Sequence, residues 1–404
     1  MAKIFPFKAV RPAKDKVSLV TSRSYDDYSP AELASQLDYN AFSFLHVLNP
    51  LYVNVQKSAL EKRFRLVEAK YMEFRDEEIL KKEAQPVFYL YEIQSKGYTF
   101  TGLIAATSIE DYRNNVIKKH EDTLEYRVDL FKDYLHQTGF NTEPVLITYP
   151  ENTDMAKWKA DRKKRRPLYH FSSLNRDKHT LWRVKEAAEI SWLQKQFELM
   201  GSLYIADGHH RVASANMLYE QDKASGNENL NYFMSFLISE NDLKIYEYNR
   251  IIHDLNGLTK EQFLAALEKD FTVENKAQEL WKPEEKLRYG MYLDGEFYAL
   301  YLNDTQCCSV LETLDAQILY TKVLHPLLGI GDLRTDERIE YIPGSKPVTA
   351  VKEAVDSGEF EVGFMLFPAS IKEIKELADN NLIMPPKSTY IEPKFRSGLV
   401  VYEI

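Results

Sequence analysis

A short run of polar and ionisable residues, interrupted by one glycine, separates an apolar stretch from a helical pattern near the middle of the chain. The surrounding residues 201–216 read GSLYIADGHHRVASAN. The apolar residues before the turn favour a strand, and the spacing of apolar residues after it favours a helix. The residues that could carry chemistry at this turn are Asp207, Gly208, His209, His210 and Arg211.

The start of a helix attracts anions, because its first backbone N–H groups lack partners and lie at the positive end of the helix dipole. Arg211 can add a two-pronged hydrogen bond to a phosphate, and Asp207 can hold a magnesium ion beside it. The turn therefore predicts binding of a phosphorylated ligand. The alternative is a solvent-exposed turn in which the aspartate caps the helix and the histidines are hydrated.

A second candidate segment, KKHEDT, precedes a predicted helix that runs to about residue 136. Asp122 is expected to cap that helix. Glu121 has two interpretations, a second cap or a general base facing a cleft, and the local pattern alone favours the cap.

A third candidate segment follows two prolines near the C-terminus and contains Lys387, Ser388 and Thr389. Lys387 offers a compact positive charge that suits a carboxylate or a phosphate. The alternative is a surface loop, and the segment by itself does not decide between them.

Composition excludes several classes of protein. The chain has 404 residues, a net charge of −9 and a pI near 5.6, which argues against non-specific binding to duplex DNA. The only cysteines are Cys307 and Cys308, so we expect no disulfide framework and a reducing, cytoplasmic location. We also expect no signal peptide and no membrane span. The absence of a Walker-type glycine loop excludes an ordinary P-loop kinase.

The elements that must position the candidate residues form a mixed pattern of helices and strands. Ser29 and Pro30 mark a helix start, and Lys96 and Gly97 mark the turn of a hairpin. Residues 151–170 are basic and are interpreted as a solvated loop or extended insertion. We further expect a buried apolar run (42–55), a charged helix (61–82), paired strands (232–238 with 243–248), a helix starting at Thr259, two strands around Asp294 and Gly295 (286–302), a helix (314–324), a buried strand (358–367) and a helix (370–380).

The chain resembles a bacterial family of domains of unknown function, number one thousand and fifteen, over nearly its whole length. The resemblance rests on PFKAVRP, KKHEDT, LYIADGHHR, HPLLGI and MPPKSTYIEPKFRSGLVV. The chain departs from that pattern early, where Arg23, Ser24, Tyr25 and Asp26 replace a proline-tyrosine-aspartate loop.

The chain is also similar to the free serine kinases, over residues 118–149 and 201–393. This resemblance implies a fold of the α/β class, with α+β character, built on a ParB/sulfiredoxin-like core. The implied domains are an N-terminal α/β region (1–114), a catalytic core (115–255, with an insertion at 151–198) and a C-terminal α/β substrate lobe (256–404). The implied activity is phosphoryl transfer from a nucleotide, ATP or ADP with Mg²⁺, to the hydroxyl of free L-serine, giving O-phospho-L-serine.

The same resemblance implies roles for individual residues. Glu121 falls on the catalytic base and Asp207 on a second essential acid that also contributes to the metal site. The turn that binds the nucleotide phosphates corresponds to Gly208, His209, His210 and Arg211. Tyr248 falls near a tryptophan of the serine pocket, and Lys387, Ser388 and Thr389 resemble the substrate-binding segment.

Two alternatives from other classes share the same motif. One is a ParB-like nucleotide hydrolase or nuclease, and the other is a nucleotide-binding regulatory module without turnover. A sulfiredoxin-type enzyme ranks last, because it needs a catalytic cysteine where this chain has His209. The expected partners are a nucleotide and a small hydroxylated amino acid, with no membrane, and the composition argues against nucleic acid.

Overall fold

The computed structural model of the protein describes residues 1–50, 59–305 and 309–404, with the backbone alone of Asp26. Its helices are α1 (Val17–Val20), α2 (Pro30–Tyr39), α3 (Leu45–Leu48), α4 (Leu60–Asp76), α5 (Ile109–Arg113), α6 (Glu125–Thr138), α7 (Thr153–Lys163), α8 (Ala187–Leu199), α9 (His209–Asp222), α10 (Lys260–Leu267), α11 (Asp315–Leu319), α12 (Thr349–Asp356) and α13 (Ile371–Asp379). Its strands are β1 (Ile4–Phe5), β2 (Val10–Pro12), β3 (Leu80–Lys82), β4 (Phe88–Ser95), β5 (Tyr98–Ser108), β6 (Ile117–Lys118), β7 (Phe140–Asn141), β8 (Val145–Tyr149), β9 (Tyr169–Ser172), β10 (Lys178–Val184), β11 (Leu203–Asp207), β12 (Tyr232–Ser239), β13 (Lys244–Tyr246), β14 (Tyr248–Ile252), β15 (Phe271–Ala277), β16 (Arg288–Leu293), β17 (Glu296–Leu302), β18 (Ile339–Pro343), β19 (Val362–Met365), β20 (Tyr390–Glu392) and β21 (Tyr402–Glu403).

These elements form two compact units, and the mixed α/β class is confirmed. The first unit comprises Met1–Lys118, Thr123–Leu243 and Pro393–Ile404, and the second comprises Lys119–Asp122 and Lys244–Glu392. Most of the predicted catalytic core thus shares a unit with the whole predicted N-terminal region. Cys307 and Cys308, and the later part of the apolar run 42–55, lie outside the described residues.

The first unit is built on a nine-stranded mixed sheet with the order β6-β11-β8-β12-β5-β4-β10-β9, and β1 pairs with β5. Strand β11 runs parallel to β6 and antiparallel to β8. The residues of β11 before Asp207 are buried, as are the central residues of its neighbours. Burial on both faces explains why these strands read as continuous apolar runs.

The hairpin of β4 and β5 forms as its sequence predicts. Lys96 and Gly97 occupy the turn with φ of +49° and +84°, a two-residue geometry in which both central residues are left-handed. Three predicted helix starts also form capping boxes, at Ser29 before α2, at Thr259 before α10 and at Ser370 before α13. In each, the side chain accepts from the N3 backbone N–H, which satisfies a donor at the helix start.

The second unit is built on a six-stranded antiparallel sheet with the order β15-β17-β16-β19-β14-β18. A separate ladder joins β13 to β20. Its core contains Phe263 of α10, Leu319 of α11 and Phe364 of β19. The predicted helix 314–324 begins as α11 and continues as a π-helical segment, Tyr320–Leu324.

One predicted strand pairing and one predicted helix length are wrong. Strand β12 does not pair with the strands that follow it, because it lies between β5 and β8, while β13 pairs with β20 and β14 pairs with β18 and β19. Helix α4 ends at Asp76, and residues that were expected to continue it form β3 against β2. Local patterns do not specify which distant strand supplies the hydrogen bonds.

The basic stretch 151–170 is not a solvated loop. It forms helix α7, with an Asn152 cap, and two of its basic side chains are buried in ion pairs. Lys159 Nζ lies 2.7 Å from Asp242 Oδ2, and Arg162 Nη1 lies 2.8 Å from Glu189 Oε2. The partners lie far away in sequence, so the composition of the stretch alone misleads. The insertion 151–198 also contributes β9 and β10 to the main sheet.

Candidate functional site

The charged turn of the first unit joins the end of β11 to the start of α9. Gly208 is the N-cap of α9 with φ of +97°, a left-handed conformation that glycine adopts without steric cost. A Cβ at this position would lie 2.8 Å from Nη2 of Arg211, so the guanidinium folds over the glycine. Because Gly208 has no side chain, the N-cap of α9 makes no side-chain hydrogen bond, and the positive end of the helix dipole at this point favours an anion.

Asp207 is held between two cations at this turn. Its Oδ2 lies 3.3 Å from Arg211 Nη2 and 3.3 Å from Lys394 Nζ. Burial alone raises the pKa of Asp207, but Lys394 and Arg211 outweigh it, so the pKa lies well below its usual range. The Asp207 side chain is 37% exposed, so a charged carboxylate remains accessible to a ligand.

A second acid, Glu143, completes the charge network. Its Oε2 lies 3.4 Å from Arg211 Nη1, and its Oε1 accepts from Ser397 Oγ at 2.7 Å. The network contains two carboxylates and two cations, and it fixes the orientation of the Arg211 guanidinium. Lys394 is the member that the sequence reasoning missed. Lys394 lies in the basic segment PKFRSG, shortly after the predicted residues Lys387, Ser388 and Thr389, and this segment could have indicated it.

The two histidines of the turn have different environments. His209 is buried, whereas His210 reaches the start of α6, where its Nε2 accepts from the backbone N–H of Leu124 at 3.0 Å. A nitrogen that accepts from N–H carries no proton, so the imidazole of His210 is neutral in this arrangement. The predicted cap at Asp122 is wrong, because α6 has no side-chain cap and the imidazole occupies that position instead.

The remaining predicted residues lie in the second unit, and the structure brings several of them together. The carbonyl of His120, next to Glu121, accepts from the N–H of Met384 at 2.9 Å. Lys387 has a φ of +55°, and its Nζ lies 5.2 Å from the ring centre of Tyr248. The Glu121 segment thus lies beside the start of the MPPKST segment, and Lys387 contacts the aromatic residue predicted with it.

Ser388 and Thr389 differ in what they can offer a ligand. Ser388 is buried, and its hydroxyl donates to the carbonyl of Pro385 at 2.7 Å. This hydrogen bond uses the only proton of the hydroxyl, so Ser388 cannot at the same time donate to a carboxylate. Thr389 is half-buried.

A small pocket next to Ser388 contains acids that the sequence reasoning missed. Asp315 and Glu247 line it, and burial raises the pKa of Asp315 to about 7 and raises the pKa of Glu247. Glu373 also lines the pocket and forms an ion pair with Lys286. Burial alone would raise the pKa of Glu373, but its hydrogen bonds and the charge of Lys286 outweigh burial and lower the pKa. No sequence motif marks this pocket, because its acids come from separate segments of the chain.

Neither a metal cluster nor a membrane-crossing helix is present in the described ranges. Within residues 1–50, 59–305 and 309–404, no group of three or more His, Cys, Asp or Glu side chains could hold a metal ion. Over the same residues, no helix has the length and apolarity needed to cross a bilayer.

The family of the chain follows from its sequence match. The family model described as protein of unknown function (DUF1015) matches residues 4–317. The chain belongs to this family. Among curated proteins, none matches it.

Several solved structures resemble the DUF1015 chain at low identity. A free serine kinase in complex with AMP is 14% identical with a TM-score of 0.37, and the alignment covers 73% of this chain and 88% of that chain. SbnI with a C-terminal truncation, from Staphylococcus aureus, is 14% identical with a TM-score of 0.38, covering 72% and 82%. A conserved hypothetical protein from Pyrococcus furiosus is 14% identical with a TM-score of 0.36, covering 73% and 91%. Similarity of this degree supplies no argument about function.

Proposed function

We propose that this protein is a small-molecule kinase that transfers a phosphoryl group from a nucleotide to the hydroxyl of free L-serine, giving O-phospho-L-serine. The observation that carries the proposal is the charged turn of the first unit. There, the start of α9 at Gly208, Arg211 and Lys394 surround an ionised Asp207. Phosphoryl transfer depends mainly on positioning and charge stabilisation, which this arrangement can supply.

In this proposal the nucleotide phosphates bind at the start of α9. The backbone N–H groups of the first turn donate to phosphate oxygens, and Arg211 and Lys394 offset their charge. His210 contributes as a neutral ring that fixes the start of α6 rather than as a cation. Gly208 allows the phosphates to approach the backbone closely.

Asp207 is suited to hold Mg²⁺ in part. Magnesium is commonly bound by one or two carboxylates together with substrate phosphates and water, rather than by a full set of protein ligands. A single ionised and accessible carboxylate at the phosphate turn matches that donor set. When bound beside Asp207, Mg²⁺ would reduce the negative charge that the attacking hydroxyl meets.

The acceptor serine is assigned to residues of the second unit by the resemblance described above. Glu121 would accept the proton of the serine hydroxyl, and Lys387 would attract its carboxylate, with Tyr248 and Thr389 beside it. The contact between the Glu121 segment and Met384 supports a common role for these residues. Ser388 is a less suitable donor, because its hydroxyl already donates to Pro385.

The decisive experiment incubates the protein with Mg²⁺, a panel of phosphate donors (ATP, ADP and pyrophosphate) and a panel of hydroxylated amino acids, with mass spectrometry as the readout. We expect a product with the mass of serine plus one phosphate group. Consumption of nucleotide that does not depend on an amino acid would favour a hydrolase. Nucleotide binding without any turnover would favour a regulatory module, and either result would contradict the proposal.

Two variants separate the roles within the proposed site. Glu121→Gln should lower turnover by a factor of about 10² to 10⁴ and leave nucleotide affinity largely unchanged, because only the base is removed. The matched control is Asp122→Asn, a neighbouring acid whose side chain is 61% exposed. Lys394→Gln should instead weaken nucleotide binding by about tenfold or more. Full activity of Glu121→Gln would rule out the assigned base.

A further inference from the structure

Two arginines face each other across a short antiparallel pairing in the first unit. The N–H of Ser22 donates to the carbonyl of Ser397 at 3.2 Å, and the N–H of Ser397 donates to the carbonyl of Ser22 at 2.9 Å. In such a pairing the residue after Ser22 lies opposite the residue before Ser397, which places Arg23 opposite Arg396. Like charges that face each other across two strands are destabilising. The fold therefore retains a repulsive pair.

Arg396 lacks an acidic partner. Its Nη2 donates to the carbonyl of Thr21, and its Nε is buried without a hydrogen-bond partner. Among the residues that the structure describes, no carboxylate lies within ion-pair distance of its guanidinium. Burial lowers the pKa of Arg396, and the charge of Arg23 lowers it further. The negative charge of Asp177 raises the pKa of Arg396 in part, but from beyond ion-pair distance. A largely desolvated charge without a close counter-charge is costly.

The neighbours of Arg396 do not supply the missing charge. Nδ1 of His179 forms a hydrogen bond of 2.9 Å with the hydroxyl of Tyr91. Burial and the charge of Arg396 lower the pKa of His179 to about 3. It is therefore neutral. Arg23 does have an acid, because its Nη2 lies 3.1 Å from Glu32 Oε1, but that carboxylate is 52% exposed and also belongs to the cap of α2.

The surroundings of the arginine pair offer further donors. The hydroxyls of Thr21 and Ser22 are buried and have no hydrogen-bond partner among the described residues. Nε of Arg396 and these two hydroxyls are therefore buried donors without acceptors, beside two guanidinium groups that each have one acceptor. An oxyanion is the chemical group that would satisfy such a set, because arginine matches the geometry of phosphate oxygens with paired hydrogen bonds.

We propose that Arg23 and Arg396 bind an oxyanion of the phosphate class between the early loop and the C-terminal segment of the first unit. The proposal does not depend on the kinase activity. Two sources share this chemistry: a free phosphate, or a phosphate group of a nucleotide bound at the charged turn, since Lys394 lies two residues before Arg396 and contacts Asp207.

The test is a calorimetric titration of the full-length protein with inorganic phosphate, at an ionic strength held constant with chloride. We expect saturable binding to the native protein and a loss of affinity of about tenfold or more in Arg396→Gln. Arg23→Gln should lose affinity in the same direction, and its side chain is only partly buried, so this variant is expected to fold even if Arg396→Gln does not. Circular dichroism checks the fold of each variant.

Two control variants separate this site from other effects. Arg162 is also buried but is paired with Glu189, so Arg162→Gln should lose stability and keep its phosphate affinity. Arg65→Gln, at an exposed ion pair with Glu61 outside both sites, should leave the phosphate affinity unchanged. A parallel titration with ADP distinguishes the sources: an equal loss in Arg396→Gln indicates a nucleotide phosphate, and unchanged ADP binding indicates a free oxyanion. Phosphate affinity that is unaltered in both Arg23→Gln and Arg396→Gln, or absent from the native protein, would overturn the proposal.

Discussion

Asp315 provides a prediction whose magnitude can be worked from the structure. It is the first residue of α11, it is buried, and its Oδ1 accepts from the N–H of Leu287 at 3.0 Å. Burial raises the pKa of Asp315 to about 7, since the hydrogen bond and the nearby charge of Lys286 only partly compensate for lost hydration. The folded protein therefore holds a proton on this carboxyl over a range in which the unfolded chain has released it.

The sign of the effect follows from that difference in bound protons. Between the unfolded pKa of about 4 and the folded pKa of about 7, the folded state binds more protons, so the free energy of unfolding falls as the pH rises. At about 1.4 kcal/mol per pKa unit, the upper limit of this loss is about 4 kcal/mol above pH 7. Asp315→Asn stays neutral and keeps an acceptor for Leu287, so it should escape this loss.

Urea denaturation at several pH values tests the argument. The free energy of unfolding of Asp315→Asn minus that of the native protein should rise by about 2 to 3 kcal/mol between about pH 5 and about pH 8. Hydrogen exchange in β16 should report the same trend, because Leu287 precedes that strand. The matched control is Asp294→Asn, whose side chain is 73% exposed and should give a nearly flat difference. A flat difference for Asp315→Asn as well would refute the reasoning.

Three further predictions concern other parts of the chain. Gly208→Ala should lower the free energy of unfolding by about 1 to 2 kcal/mol and weaken nucleotide binding, because the new Cβ displaces Arg211. The control is Gly257→Ala, at a φ of +78° with open space around it, which should affect stability alone. His179 has a pKa lowered to about 3, so it should destabilise the native protein by about 2 kcal/mol as the pH falls from about 6.5 to about 5, and His179→Gln should lose that acid sensitivity in thermal unfolding. Glu403→Gln should cost about 1 to 3 kcal/mol in urea denaturation, since the carboxylate accepts from a tyrosine and pairs with two basic side chains; a change within experimental error would contradict this.

The features that the sequence predicted are those set by neighbouring residues. The strand, turn and helix around Asp207 follow from local apolar spacing and from Gly208, and the capping boxes follow from residues three positions apart. The hairpin turn at Lys96 and Gly97 is local in the same sense. Such features depend on short-range hydrogen bonds and backbone conformation, which a single segment contains in full.

The features that the sequence did not predict depend on distant partners. Lys394 meets Asp207 across 187 positions, and Lys159 meets Asp242 across 83 positions. In both cases a basic residue in a polar stretch resembles a solvated side chain until its partner is known. The pocket around Asp315 has the same origin, because its lining residues come from several elements. Long-range pairing therefore determines which polar residues are functional candidates and which are merely exposed.

The charge balance at the turn makes one more prediction, on the order in which ligands bind. Arg211 and Lys394 are already partly neutralised by Asp207 and Glu143, so a nucleotide that arrives without a metal ion meets the negative charge of Asp207. At a separation of about 4 Å near a protein surface, one such repulsion is on the order of 4 kcal/mol before screening. Mg²⁺ would convert it into attraction, so nucleotide affinity should rise strongly with Mg²⁺ in the native protein. Asp207→Asn should bind the metal-free nucleotide more tightly than the native protein and gain little from Mg²⁺ in calorimetry. If Asp207→Asn kept the full magnesium dependence, Asp207 would not be the residue that links the metal to the phosphates.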